Sequence, residues 1–283
     1  MTKLNNGLSS FGTVRTFLKA GTCSHTMLKV LNRAFERPME MEERAVDPFA
    51  GGIMQHGYQC GMIWGAALAA GAEAFRRFGA TPQAEASAIL AAQHIVTSFR
   101  ARNHHINCLE LTDIDRSSST LKMITYFLIK GGTLRCFHMA AKFAPVAFSE
   151  IDAALAAGGV EGLAAPVSCA SMVARRMGVS EEHAVMAAGL AGGIGLCGGA
   201  CGALGAAIWI IGMDSIREGA GRVDFKNVNA SMAIERYLQS TDYKFECSEI
   251  VGRTFENIGD HAQHLRQGGC SKILDALALS CPA

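Results

Sequence analysis

Ala191-Gly192-Gly193-Ile194, with Cys201-Gly202 eight positions after Gly193, restates Ala50-Gly51-Gly52-Ile53 with Cys60-Gly61 eight positions after Gly52. The likeness extends outward in both directions. Upstream, Glu42-Glu43-Arg44-Ala45-Val46 parallels Glu181-Glu182-His183-Ala184-Val185, and Gly21-Thr22-Cys23-Ser24 parallels Val167-Ser168-Cys169-Ala170. Downstream, Asn107-Cys108-Leu109-Glu110-Leu111 matches Glu246-Cys247-Ser248-Glu249-Ile250. Gly131-Gly132 then Cys136 matches Gly268-Gly269 then Cys270. The chain is therefore a tandem duplication, in which Cys23, Cys60, Cys108 and Cys136 correspond to Cys169, Cys201, Cys247 and Cys270.

Composition fixes the class of fold. The 283 residues are 49% apolar and 18% charged, enough to bury a large core and too apolar for disorder. Strand-length β-branched runs are scarce, whereas Ala86-Ile89-Leu90-Val96 and Leu121-Ile124-Phe127-Leu128 repeat at helical spacing. We expect an all-α protein of two helical repeats, residues 1–146 and 147–283, packed as a pseudo-twofold pair. Each repeat should hold five or six helices. The boundary is expected near Pro145, where Ser149-Glu150 can cap a helix holding Ile151. Cys136 and Cys270 should each open an amphipathic helix.

Charge and hydropathy exclude other classes. A net charge of +1 with no basic stripe argues against a nucleic-acid partner. Ala184 to Met213 is uncharged and long enough to span a bilayer, but its first-repeat counterpart carries Gln55, His56, Tyr58 and Gln59, and Gly192-Gly193 should break it. Membrane insertion is not expected. Gly193-Ile194-Gly195-Leu196-Cys197-Gly198 spells a dinucleotide-binding pattern without the strand and acidic residue that such a site needs. The N-terminal stretch is too polar for a signal peptide, so a reducing, cytoplasmic setting is expected, where clustered cysteines serve metals or redox chemistry.

Ten cysteines invite three readings. Four thiolates drawn from separate helices can converge on an iron–sulfur cluster or on Zn²⁺. Alternatively they work without metal in thiol–disulfide exchange, or merely hold helices together through structural zinc. Gly61 and Gly202 beside the central cysteines let backbone approach and offer amide donors. Cys197 and Cys201, four apart, could share a helix face as a catalytic thiol pair; the first repeat has His56 in the place of Cys197. Cys281 matches nothing and is read as incidental. His104-His105 reads as a polar loop, and Asp113 and Asp115 as charges at a helix N-terminus.

Cys201-Gly202-Ala203-Leu204-Gly205-Ala206, with Cys169 before it and Cys247 and Cys270 after it, resembles the redox-active protein family named for its C_GCAxxG_C_C pattern. Cys60-Gly61-Met62-Ile63-Trp64-Gly65-Ala66 is a second, looser copy. A similar module occurs in split-Soret cytochrome c, where the cysteines are implicated in holding an iron–sulfur centre. The resemblance implies an all-helical fold, redox activity or cluster binding, and a redox partner protein. A homodimer is also open to such a unit.

Overall fold

The computed structural model describes residues 8–158, 164–221 and 225–279. Fifteen α-helices are present among them, and the only β-pairing is two isolated bridges. The first repeat holds α1 (Ser10–Ala20), α2 (Cys23–Ala34), α3 (Glu40–Arg44), α4 (Gly61–Phe78), α5 (Pro82–Asn103), α6 (Cys108–Thr112), α7 (Thr120–Ile124) and α8 (Gly132–Ala156). The second holds α9 (Cys169–Arg176), α10 (Glu181–Ala187), α11 (Gly202–Arg217), α12 (Val228–Ser240), α13 (Cys247–Val251), α14 (Ile258–Arg266) and α15 (Ser271–Ala278). The all-α duplication expected from sequence is what the chain forms. Helices exceed the expected number because α3, α6, α7 and α13 span five residues each, too short to display a period.

Local chemistry explains the helix starts. Thr22, Thr81, Ser168, Ser180, Asn227 and Asn257 each accept from a backbone N–H in the first turn of the helix they precede. At α5, Pro82 follows the Thr81 cap, where its missing N–H costs nothing. Thr81→Ala should therefore cost about 1 kcal/mol. Urea unfolding at neutral pH measures it, and an unchanged midpoint would show that the cap is dispensable.

The pseudo-twofold axis is visible in pairs of equivalent residues that touch each other. The structure moves the upstream pairing by two residues, since α3 begins at Glu40 and α10 at Glu181, so that Glu42 is equivalent to His183 rather than to Glu181. These two, 141 positions apart, meet with Oε1 and Nε2 separated by 2.9 Å. Gln59 and Ala200, also 141 apart, meet where the Ala200 N–H donates to Gln59 Oε1 at 3.0 Å. Reciprocal contacts flank the axis. A Cβ on Gly71 of α4 would lie 2.3 Å from the Met186 carbonyl oxygen, and one on Gly212 of α11 would lie 2.6 Å from that of Ala45. Each glycine thus brings a central helix backbone-to-backbone against the other repeat. Trp64 and Trp209, both wholly buried, anchor the shared core.

Three expectations change. Ser149-Glu150 caps nothing, because α8 runs unbroken from Gly132 to Ala156 across Pro145. Cys270 immediately precedes α15, whereas Cys136 lies a turn inside α8. Cys197 and Cys201 share no helix: Cys197 sits in an irregular turn and Cys201 is the residue before α11. The uncharged Ala184–Met213 stretch breaks after Ala187 and resumes as helix at Gly202. No helix among the described residues is long and apolar enough to cross a membrane.

Candidate redox centres

Each repeat gathers its cysteines by the same backbone scheme. A glycine-rich turn reverses the chain, with left-handed Gly51, Gly52, Ile53, Met54 and Gln55 in one copy and Gly192 through Leu196 in the other. The residue before the central cysteine then bridges to the residue before the third, Gln59 to Asn107 and Ala200 to Glu246. Consequently the Cys60 N–H donates to Ile106 O and the Cys108 N–H to Tyr58 O, both at 2.7 Å. Their counterparts, Cys201 to Phe245 O and Cys247 to Gly199 O, measure 3.2 and 2.7 Å. Cys23, Cys60, Cys108, Cys169, Cys201, Cys247 and Cys270 all stand at helix N-termini, where unsatisfied amides favour a thiolate.

Gly61 and Gly202 have distinct work. A Cβ at Gly61 would fall 2.7 Å from Cys23 Sγ, so the glycine lets that sulfur settle beside Cys60. At Gly202 a Cβ would fall 1.6 Å from the Leu190 carbonyl oxygen, so the requirement there is backbone clearance.

Electrostatics separate the two sets. In the first, the Cys60 thiol hydrogen-bonds Cys23 and holds it below the ordinary thiol range, against burial and with help from nearby backbone N–H groups. The same contact, burial and the charge on Cys23 push Cys60 well up. Burial and the Cys23 charge push Cys108 and Cys136 up to about 12. Cys23 is thus the most readily ionised thiol of its set. In the second set burial and neighbouring sulfurs push Cys169 and Cys247 far up, burial raises Cys201, and burial with Cys201 lifts Cys270 to about 12. The described cysteines are all free thiols.

The first set also has space. A cavity of about 410 Å³ is walled by Cys23, Cys108 and Cys136 together with Phe17, Phe127 and Phe137. Beside it, the buried Tyr126 hydroxyl has no hydrogen-bond partner, and Cys136 and Cys108 both act on it. An orphaned donor near thiols fits a sulfur-rich guest. Among the described residues no group of three or more His, Cys, Asp or Glu side chains is already arranged to hold an ion. Any metal would require the thiols to lose protons and turn inward.

Other candidates fall outside these sets. Cys197 lines a separate depression with Arg100, His104 and Glu246, its Sγ directed at the Gly195 carbonyl. His56 instead lies against Phe245 and Arg116. His105 pairs with Glu110 at 3.2 Å. Asp113 ends α6 rather than opening a helix, and Asp115 accepts from Ser117 and Ser118. The glycine pattern from Gly193 to Gly198 forms the turn described above, with no strand before it. Cys281 lies outside the described residues. Sequence reasoning missed Tyr126, Tyr237 and His264, all beside cysteines; the only hint was the Gly-Gly pair that follows Tyr126 and His264 in their respective copies.

A family model described as "Putative redox-active protein (C_GCAxxG_C_C)" matches the chain twice, over residues 22–147 and 167–281. No curated protein and no solved structure matches it.

Proposed function

Because the chain belongs to the redox-active family defined by the C_GCAxxG_C_C pattern, we propose that its cysteine quartets bind metal–sulfur centres for electron transfer or redox sensing. The observation that carries this is the first-repeat cavity, on which three thiols open while Cys60 lies behind Cys23. Cys23, Cys60, Cys108 and Cys136 would hold an iron–sulfur cluster there, and Cys169, Cys201, Cys247 and Cys270 a second centre. Such a cluster supplies one-electron chemistry whose potential depends on burial and on hydrogen bonds to sulfur. The chain's part is to offer Cys23 as the first thiol to ionise, to exclude water with Phe17, Phe127 and Phe137, and to keep the unpartnered Tyr126 hydroxyl near Cys136 and Cys108. A redox partner protein in the cytoplasm would exchange electrons with it.

The Cys23–Cys60 contact favours one second reading, metal-free thiol–disulfide exchange. Cys23 would attack a disulfide substrate as thiolate, and Cys60 would then resolve the mixed disulfide. Anaerobic purification with a visible spectrum and iron, zinc and sulfide analysis decides between them. We expect a brown protein with iron and acid-labile sulfide that bleaches with dithionite, and loss of the first centre in Cys60→Ser. A folded, colourless, metal-free protein would sink the cluster reading and leave thiol exchange. Zinc without sulfide would mark structural sites.

A further inference from the structure

The glycine that ends the Gly-Gly pair is covered by a different ring in each repeat. In the first repeat a Cβ on Gly132 would lie 2.2 Å from Tyr126 Cε1. In the second, a Cβ on Gly269 would lie 2.2 Å from His264 Nε2. Both glycines leave room for a ring to reach the cysteine that follows. Tyr126 can only lend a hydrogen bond there, whereas His264 presents an imidazole nitrogen, with Nε2 3.7 Å from Cys270 Sγ.

His264 is held in this position. Its ring lies 5.3 Å from that of Phe255, which also meets His261 edge-on at 4.8 Å. His261 Nδ1 contacts the Val167 carbonyl at 2.9 Å, which ties α14 to the chain entering α9, whose first residue is Cys169. The backbone of Cys270 is left-handed, with φ of 62°, so its thiol is presented at the head of α15 beside His264. A nitrogen donor is thereby mounted on the same scaffold as the sulfurs of the second set.

We propose that His264 is a ligand of the second centre, making it a mixed nitrogen–sulfur site for a borderline divalent ion of the zinc class, in contrast to the all-sulfur first centre. Softness supports the assignment, because imidazole and thiolate are both donors that such an ion takes. Charge supports it too. A neutral imidazole adds a donor without adding negative charge to a site whose Cys169, Cys201 and Cys247 are buried.

This inference rests on the quartets holding metal, and cobalt(II) is a probe that tests it apart from iron–sulfur assembly. The full chain carrying Cys23→Ser and Cys136→Ser, which leaves only the second set intact, would be loaded anaerobically with Co²⁺. Its visible bands would be compared with those of the chain carrying Cys201→Ser and Cys247→Ser. We expect the second centre to absorb at shorter wavelength than the first. We also expect a hyperfine-shifted, exchangeable imidazole N–H proton signal, which reports the ligand without altering it. His264→Ala and His264→Gln should remove that signal, shift the bands and weaken Co²⁺ by at least about tenfold. Matching bands at the two centres without an imidazole signal, or unchanged cobalt binding in both His264 variants, would overturn the assignment while leaving the quartets as metal sites. Absence of cobalt binding at either set would overturn both.

Discussion

Replacing Gly71 with alanine is expected to destabilise the protein by about 3 kcal/mol, although the same change in an exposed helix would stabilise it by nearly 1 kcal/mol. The reason is the identity of the atoms in the way. The new methyl would stand 2.3 Å from the Met186 carbonyl oxygen and 2.6 Å from both Met186 Cα and the Val185 carbonyl oxygen. All three belong to the backbone of α10, so no rotamer change gives relief and the helices must part. Parting them opens the core around α4, whose residues from Gly61 to Ala74 are all buried. Gly212→Ala should behave alike, because Ala45 stands to α11 as Met186 stands to α4. Urea unfolding of the two variants measures both effects. A stabilised Gly71→Ala protein would mean that the repeats do not meet backbone-to-backbone, and the pseudo-twofold packing would have to be redrawn.

That packing was legible in the sequence only as a repeat. Matched cysteines and Gly-Gly-Ile segments announced two copies, and helical periods announced the fold class. The axis could not be read, because it is defined by contacts such as Gln59 with Ala200, in which equivalent positions hold unlike residues. Gln59 is wholly buried and donates to Gly193 O at 3.1 Å, while Gly199 must lack a side chain because its Cβ would overlap Gln59 Nε2. Such compensation between copies has no periodicity. Pro145 misled for a related reason. Proline usually marks a helix boundary, yet flanking residues Phe143, Ala144 and Ala147 are all buried, and tertiary packing carries α8 through it.

The site divides along the same line. The cysteines were evident because they recur in order, but their inequality was not. It comes from residues that differ between copies at one place in space: Tyr126 against His264, and the Tyr237 hydroxyl directed at Cys201 and at Phe245 O. Duplication supplied two scaffolds with common backbone hydrogen bonds, and divergence changed what surrounds the sulfur. Were the proposed centres loaded, two unlike surroundings would let them differ in potential or in metal, an option closed to a symmetric pair.

Acid should weaken the second repeat through His261, by about 3 kcal/mol between pH 6.5 and 4. The side chain is 1% exposed, and burial pushes its imidazole down to about 4, outweighing the stabilising contact with Val167 O. In the unfolded chain the same histidine titrates near its ordinary value of about 6.5. Between those values the unfolded state binds the extra proton, so stability is complete above about 6.5 and is lost as pH falls toward 4. Glu42 contributes in the same direction at lower pH. Burial raises its carboxyl, but His183, a backbone N–H and Arg217 together more than offset this and hold it below the usual range, so protonation there also favours unfolding. His261→Gln separates the two contributions, since glutamine can still donate to Val167 O but does not titrate. Urea midpoints at pH 7.5 and 4.5 should fall further for the natural chain than for the variant, the Glu42 part cancelling in the comparison. Parallel losses would show that His261 is already charged when folded. The contact it makes lies two residues before Cys169, so the same acid loss should loosen the second cysteine set before the first.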